Sequence, residues 1–168
     1  MRATLWSIAF LTVFAVGSLL TALVRNNPPW GQPPGFGARL LTYLNSHVAE
    51  TSAASAFPEL RPRRYPGLLP DHLFGVVDQA ATRLGWEVLE RNVQRHTLRA
   101  VATTAIMRFQ DDVGITVVPT DDQRGAVLFV RAASRMGRGD LGANTRHVLD
   151  LYAQLDRVIP PPEGAWRP

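Results

Sequence analysis

A chain of 168 residues has room for one compact domain and its appendages. It contains no cysteine, which removes disulfides, thiolate metal sites, a cysteine nucleophile and lipobox acylation. All 18 basic side chains are arginine, which removes Schiff-base and phosphate-loop lysines and gives a pI near 10.6 on a net charge of only +4. Residues 1–69 hold six arginines against Glu50 and Glu59, whereas residues 70–168 hold twelve against twelve acids. The folded part is therefore neutral, and a nucleic-acid partner, which requires a concentrated basic footprint, is not expected.

From Ala3 to Val24 the chain carries no charge and is bounded by Arg2 and Arg25. As a helix these 22 residues reach about 33 Å, enough for a hydrocarbon core of about 30 Å. The competing reading is a cleaved signal peptide with Ala15-Val16-Gly17 as its small-residue site; the apolar sequence that resumes at Leu19 favours a retained transmembrane anchor over residues 1–25. The short basic head before the apolar run resembles a signal anchor, so the expectation is a single-pass membrane protein with its domain outside the cytoplasm.

Residues 26–69 read as a spacer. Asn26 to Gly37 holds four prolines and three glycines and is semi-extended, with Trp30 and Phe36 near the lipid interface. Arg39 to Glu50 places Leu40, Leu41, Leu44, His47 and Val48 on one helical stripe whose cover is the membrane surface, the main domain or another protein, packing on protein being favoured. Residues 51–69 read as irregular, with Arg61-Pro62-Arg63-Arg64 a basic cluster that is either solvated or in contact with anionic lipid or an acidic partner.

The main domain is expected over residues 70–158. A helix opens at Pro70 and Asp71, runs with apolar spacing to Leu84 and stops at Gly85. Four strands follow at Trp86–Arg91, Thr97–Phe109, Val113–Val118 and Ala126–Ala133, with Gln110-Asp111-Asp112 as the turn between the second and third. A last helix covers Asp140–Val158, and residues 159–168 form a Pro-rich tail. The pattern predicts an α+β fold: a two-layer sandwich of a four-stranded antiparallel sheet with two flanking helices, preceded by one transmembrane helix.

The segments Leu98-Arg99-Ala100, Arg108-Phe109-Gln110-Asp111-Asp112-Val113 and Val130-Arg131-Ala132-Ala133-Ser134-Arg135, followed by Gly137, Asp140-Leu141-Gly142 and Asn144, resemble the family called "domain of unknown function 1499" from about Pro70 to Leu155. The resemblance implies a bacterial or plastid-type domain, often behind a membrane segment, and implies no established reaction.

Among the signature residues, Arg108, Asp111, Asp112, Ser134, Arg135 and Asp140 read first as structural. The aspartates are expected to form turn geometry and salt bridges to Arg108, Arg131 or Arg135, and Asp140 to cap the last helix and pair with Arg135. Ser134 lacks a nucleophile context, and His47, His72, His96 and His147 form no metal pair. The candidate small-ligand site is an anion site made by Arg135, Gly137, Arg138, Gly139 and Asn144 at the helix N-terminus. No cofactor and no metal are expected. The leading functional expectation is a non-enzymatic accessory or scaffold subunit of a larger membrane protein complex, whose other subunits contact Trp30, Phe36, Leu40, Leu44 and Trp166. The alternatives are a lipid- or pigment-binding module with a pocket between helix and sheet, and an enzyme built on Asp111, Asp112 and Asp140.

Overall fold

The computed structural model describes residues 2–104 and 108–166. Ala105–Met107, the far part of the expected second strand, and Arg167 and Pro168 at the end of the tail lie outside the described residues. The elements in chain order are α1 (Arg2–Asn26), α2 (Phe36–Asn45), β1 (Val48–Glu50), a single 3-10 turn (Pro58–Leu60), β2 (Arg63–Pro66), α3 (Pro70–Arg83), β3 (Glu87–Asn92), β4 (Thr97–Thr103), β5 (Gln110–Pro119), β6 (Gly125–Ser134) and α4 (Ala143–Leu155).

The α+β architecture with an antiparallel sheet is as expected, but the sheet has six strands rather than four. Its order is β1-β6-β5-β4-β3, with β2 also pairing β6. The two added strands come from the segment read as spacer. At three and four residues they are too short to show an alternating pattern, and they are set by pairing against the long β6. Between them, Thr51 continues the ladder, its backbone N–H donating to the Val130 carbonyl at 2.9 Å and its Oγ1 accepting from Val130 N–H at 2.9 Å.

Alternation along the long strands explains why one sheet face is covered. In β5, Val113, Ile115 and Val117 point inward, and in β6 Ala126, Leu128, Val130 and Ala132 do the same. They meet Leu73, Phe74 and Val77 of α3 and Val148, Leu151 and Leu155 of α4 in one core. Each fully buried leucine there contributes roughly 2–3 kcal/mol of transfer free energy. The opposite sheet face carries Arg99, Asp112 and Arg131 in solvent.

Several boundaries differ from expectation, and the second strand ends at Thr103, with Arg108 and Phe109 outside any strand. The helix expected over 39–50 is α2, over 36–45, so His47 and Val48 leave its stripe. The last helix starts at Ala143 rather than Asp140 and ends at Leu155. Asp111 and Asp112 lie in β5, with the chain reversal earlier, where the Thr104 N–H donates to the Phe109 carbonyl at 2.8 Å.

Among the described residues one helix, at the N-terminus, is long and apolar enough to cross a membrane: Trp6–Asn26 has mean hydropathy 2.2 and none of it is buried against the rest of the chain. At its end, Asn26 Nδ2 donates to the Leu141 carbonyl at 2.9 Å, tying α1 to the loop before α4.

Candidate functional site

Most of the signature residues converge where the start of β5 and the end of β6 meet the start of α4. Asp111 and Asp112 are neighbours in a strand, so their side chains leave on opposite faces and cannot act on one substrate. Asp111 follows the inward set of Val113, Ile115 and Val117 and is 1% exposed. Its Oδ2 lies 2.9 Å from His147 Nε2, on the first turns of α4, and the imidazole packs edge-on against Trp86. Its Oδ1 is buried without a hydrogen-bond partner.

Asp112 faces solvent and receives Arg135. Nη2 donates to Oδ1 at 2.7 Å and Nε sits 3.1 Å from both oxygens, while Nη1 donates to Gln110 Oε1 at 2.7 Å. The Arg135 hydrogen bond, aided by the charges of Arg135, Arg99 and Arg131, holds the Asp112 carboxyl below its ordinary pKa. Arg135 thus pairs with Asp112, and the pairing with Asp140 considered from the sequence is not formed.

Asp140 turns instead to the start of α4. Its Oδ1 accepts from Gly142 N–H at 2.8 Å, and its Oδ2 accepts from Asn144 N–H at 3.1 Å and Asn144 Nδ2 at 2.7 Å. It satisfies helix donors from two residues before the N-cap, Gly142, whose φ of 84° would strain any side chain larger than hydrogen. Desolvation raises its pKa, with the Asp111 charge adding to the effect and the accepted hydrogen bonds opposing it. Asn144 is fully buried and its Nδ2 also reaches the His47 carbonyl and Ser134 Oγ, both at 2.9 Å, leaving Oδ1 unpartnered.

The loop carrying Gly137 and Gly139 docks on the last turn of α2. Asp140 N–H donates to the Ser46 carbonyl and Leu141 N–H to the Tyr43 carbonyl. A side chain at Gly139 would collide with the Leu44 and Tyr43 carbonyls, so this glycine is a close-approach residue. Of the five residues of the anion candidate, Arg135 is committed to Asp112, Asn144 to its three acceptors and Gly139 to the α2 backbone. The place a bound anion would take at the start of α4 holds the Asp140 carboxylate. Arg138 is exposed beside it, as is Arg108 before β5. Ser134 Oγ is engaged by Asn144 rather than by His147, so the group is no nucleophile relay. Among the described residues no group of three or more His, Cys, Asp or Glu could hold a metal ion.

A second polar centre went unseen in the sequence. Arg39 is fully buried on α2 and forms a two-pronged ion pair with Glu59 of the 3-10 turn, at 2.5 and 3.0 Å, with Nη1 also 3.0 Å from Tyr43 Oη. Burial works against the Arg39 charge, but the hydrogen bond and charge of Glu59 outweigh it and hold the guanidinium pKa above its ordinary value. Arg63, from the basic cluster, is likewise buried. It pairs with Asp156 at 2.5 Å, stacks on Tyr152 and donates to the Trp166 carbonyl at 3.2 Å.

Two of the expected partner anchors, Trp30 and Trp166, are half-buried against their own chain. Trp30 packs against Phe36 and edge-on to Tyr43, and Trp166 helps wall a groove of about 410 Å³ between residues 27–32 and the outer side of α4. Phe36 and Leu44 stay exposed, and Leu40 is half-buried.

The profile of a family described as "Protein of unknown function (DUF1499)" matches residues 39–155, beginning at the buried Arg39 and including β1 and β2. No curated protein matches the chain.

Proposed function

The chain belongs to the DUF1499 family, and from that premise we propose that it is a single-pass, non-enzymatic accessory or scaffold subunit of a membrane protein complex, with its domain on the periplasmic side of the inner membrane. The observation that carries this reading is the use made of the signature. Ser134, Asp140, Asn144, Gly139 and Gly142 serve bonds or close approaches that fasten α2, β6 and α4 to each other, and Arg135 ties the end of β6 to the start of β5. A family signature used to hold a membrane-proximal fold together specifies a shape, and a shape is what a scaffold presents. Retention of α1 is supported by its continuity as a helix through Ala15-Val16-Gly17 and by the Asn26 bond to Leu141.

The test is purification of the full chain from native membranes in mild detergent, with intact mass and partner content read together. An unprocessed N-terminus and a stoichiometric integral-membrane partner are expected. A mature N-terminus near Ser18 sinks the anchor, and a solitary protein carrying an extractable small molecule sinks the scaffold.

A second reading, ligand binding, is favoured by one observation: the groove of about 410 Å³ beside the membrane exit. The pocket expected between helix and sheet is not its site, because Leu73, Val77, Leu151 and Leu155 fill that layer. A ligand would instead lie on the outer side of α4, against Tyr152 and Trp166.

A further inference from the structure

Helix α2 is turned the wrong way for a helix of a water-soluble domain. Its single charged residue, Arg39, is fully buried, and Tyr43 one turn later is 3% exposed. Its apolar residues point out: Phe36 is 60% exposed, Leu41 65% and Leu44 44%. At 100° per residue these three and the half-buried Leu40 span one continuous sector of about 140°, and the Arg39–Tyr43 side falls outside it. Glu59 holds Arg39 inside, so no basic group of α2 is free to reach back to water from that face.

What covers the sector is indicated by its neighbour. The last turn of α1 and the first turns of α2 wall one apolar hollow of about 330 Å³, lined by Leu23, Val24, Asn27, Trp30, Phe36 and Leu40. Val24, still 78% exposed, belongs to the helix that is long enough to cross a bilayer. The outward face of α2 thus continues the outward face of α1 at the depth where the spanning helix ends, with Trp30 at the junction, a residue that prefers the headgroup level.

We propose that α2 is a second membrane-contacting element, lying in the headgroup region of the same bilayer that α1 crosses, with Phe36, Leu41 and Leu44 in the lipid and the Arg39–Glu59 pair above it. The inference rests on α1 being a retained span. It makes the domain a body held at two points and fixed in tilt, rather than one swinging on a proline-rich tether. Helices of this kind bury their apolar face about 5–10 Å into the boundary.

The chain has no cysteine, so single cysteines report one position each. Full-length protein with Leu41→Cys, Leu44→Cys, Val13→Cys or Thr116→Cys is labelled with an environment-sensitive fluorophore and reconstituted in phosphatidylcholine vesicles. Quenching is read with a lipid spin-labelled high on its acyl chain and with aqueous iodide. Leu41 and Leu44 positions quenched by the lipid and shielded from iodide, with Thr116 on the open sheet face showing the reverse, is the expected result. Iodide access at Leu41 equal to that at Thr116, with Val13 still shielded, overturns the inference and leaves the span intact. Shielding at Leu41 without lipid quenching overturns it in favour of a second copy of the chain on that face. Iodide access at Val13 overturns the span itself.

Discussion

Helices α2 and α4 are both amphipathic and turn their apolar sides in opposite directions. In α4 the three- and four-residue steps Val148, Leu151 and Leu155 enter the core with no exposure, and Arg146 and Asp150 pair on the outer side. In α2 the buried side is Arg39 and Tyr43, and the leucines face away from the protein. The periodicity of apolar residues identifies a face. What that face meets depends on what the rest of the fold supplies opposite it, and opposite α2 the fold supplies a carboxylate, Glu59, which only a paired cation can satisfy.

The comparison breaks most visibly at that pair. Glu59→Leu leaves Arg39 buried without a counter-charge and is expected to cost about 3–5 kcal/mol in denaturant unfolding of the detergent-solubilised chain. Arg39→Met combined with Glu59→Leu should recover most of the loss; a double variant as weak as the single one would show that the pair is prized for more than mutual neutralisation. On the opposing helix, Leu151→Ala is expected to cost about 3 kcal/mol, the ordinary penalty for a core cavity, read from the same midpoints.

A smaller effect belongs to the junction that joins the two helices. Asp140→Ala should cost about 1 kcal/mol through loss of the bonds to the start of α4. The raised pKa of Asp140 means that the folded state takes up a proton at a pH where the unfolded chain has already released it. Its contribution is therefore most favourable below the unfolded pKa and is lost as pH rises through the folded one. Asp140→Asn should remove that dependence, so its unfolding midpoint improves relative to the parent as pH rises through the window just above the ordinary carboxylate value. Asp112 has the opposite sign, since its lowered pKa makes its contribution present at neutral pH and lost on acidification through the folded value. Arg135→Ala should bring the Asp112 carboxyl back up toward its ordinary pKa, as followed by carboxyl NMR.

The smallest change in folding should come from the outward leucines. Leu41→Asn is expected to alter unfolding by no more than about 0.5 kcal/mol while lowering the lipid contact of α2. A large loss of stability would place Leu41 under a protein cover and dissolve the contrast between the helices.

The central strands, α3 and α4 could be read from the sequence because each carries enough periodic apolar residues to fix type and face. β1 and β2 could not, being edge strands of three and four residues defined by β6 rather than by their own pattern. Asp111, expected in a turn, nevertheless keeps the two-residue phase of Val113, Ile115 and Val117, a signal that places it inward on the strand. Its partner His147 stands three residues after Asn144 on the same helical face, a spacing that carried the signal but not the distance across to β5. Arg39–Glu59 had no local sign, since twenty residues separate the partners.

The strand β6 has one neighbour along its whole length and two short ones, β1 and β2, along the other side, joined at Thr51. Proteins confined to a bilayer meet one another in two dimensions, side-on and repeatedly, which is the encounter geometry in which sheet edges zip together. A margin made of two fragments, with the chain leaving the sheet between them, offers no long straight run of backbone donors and acceptors to a neighbour. At the opposite margin, β3 carries a bulge between Val88 and Glu90 and the charges of Glu87, Glu90 and Arg91. Both rims of the sheet are thus unsuited to copying, so on the proposed anchored reading many of these domains can sit side by side without their edges pairing.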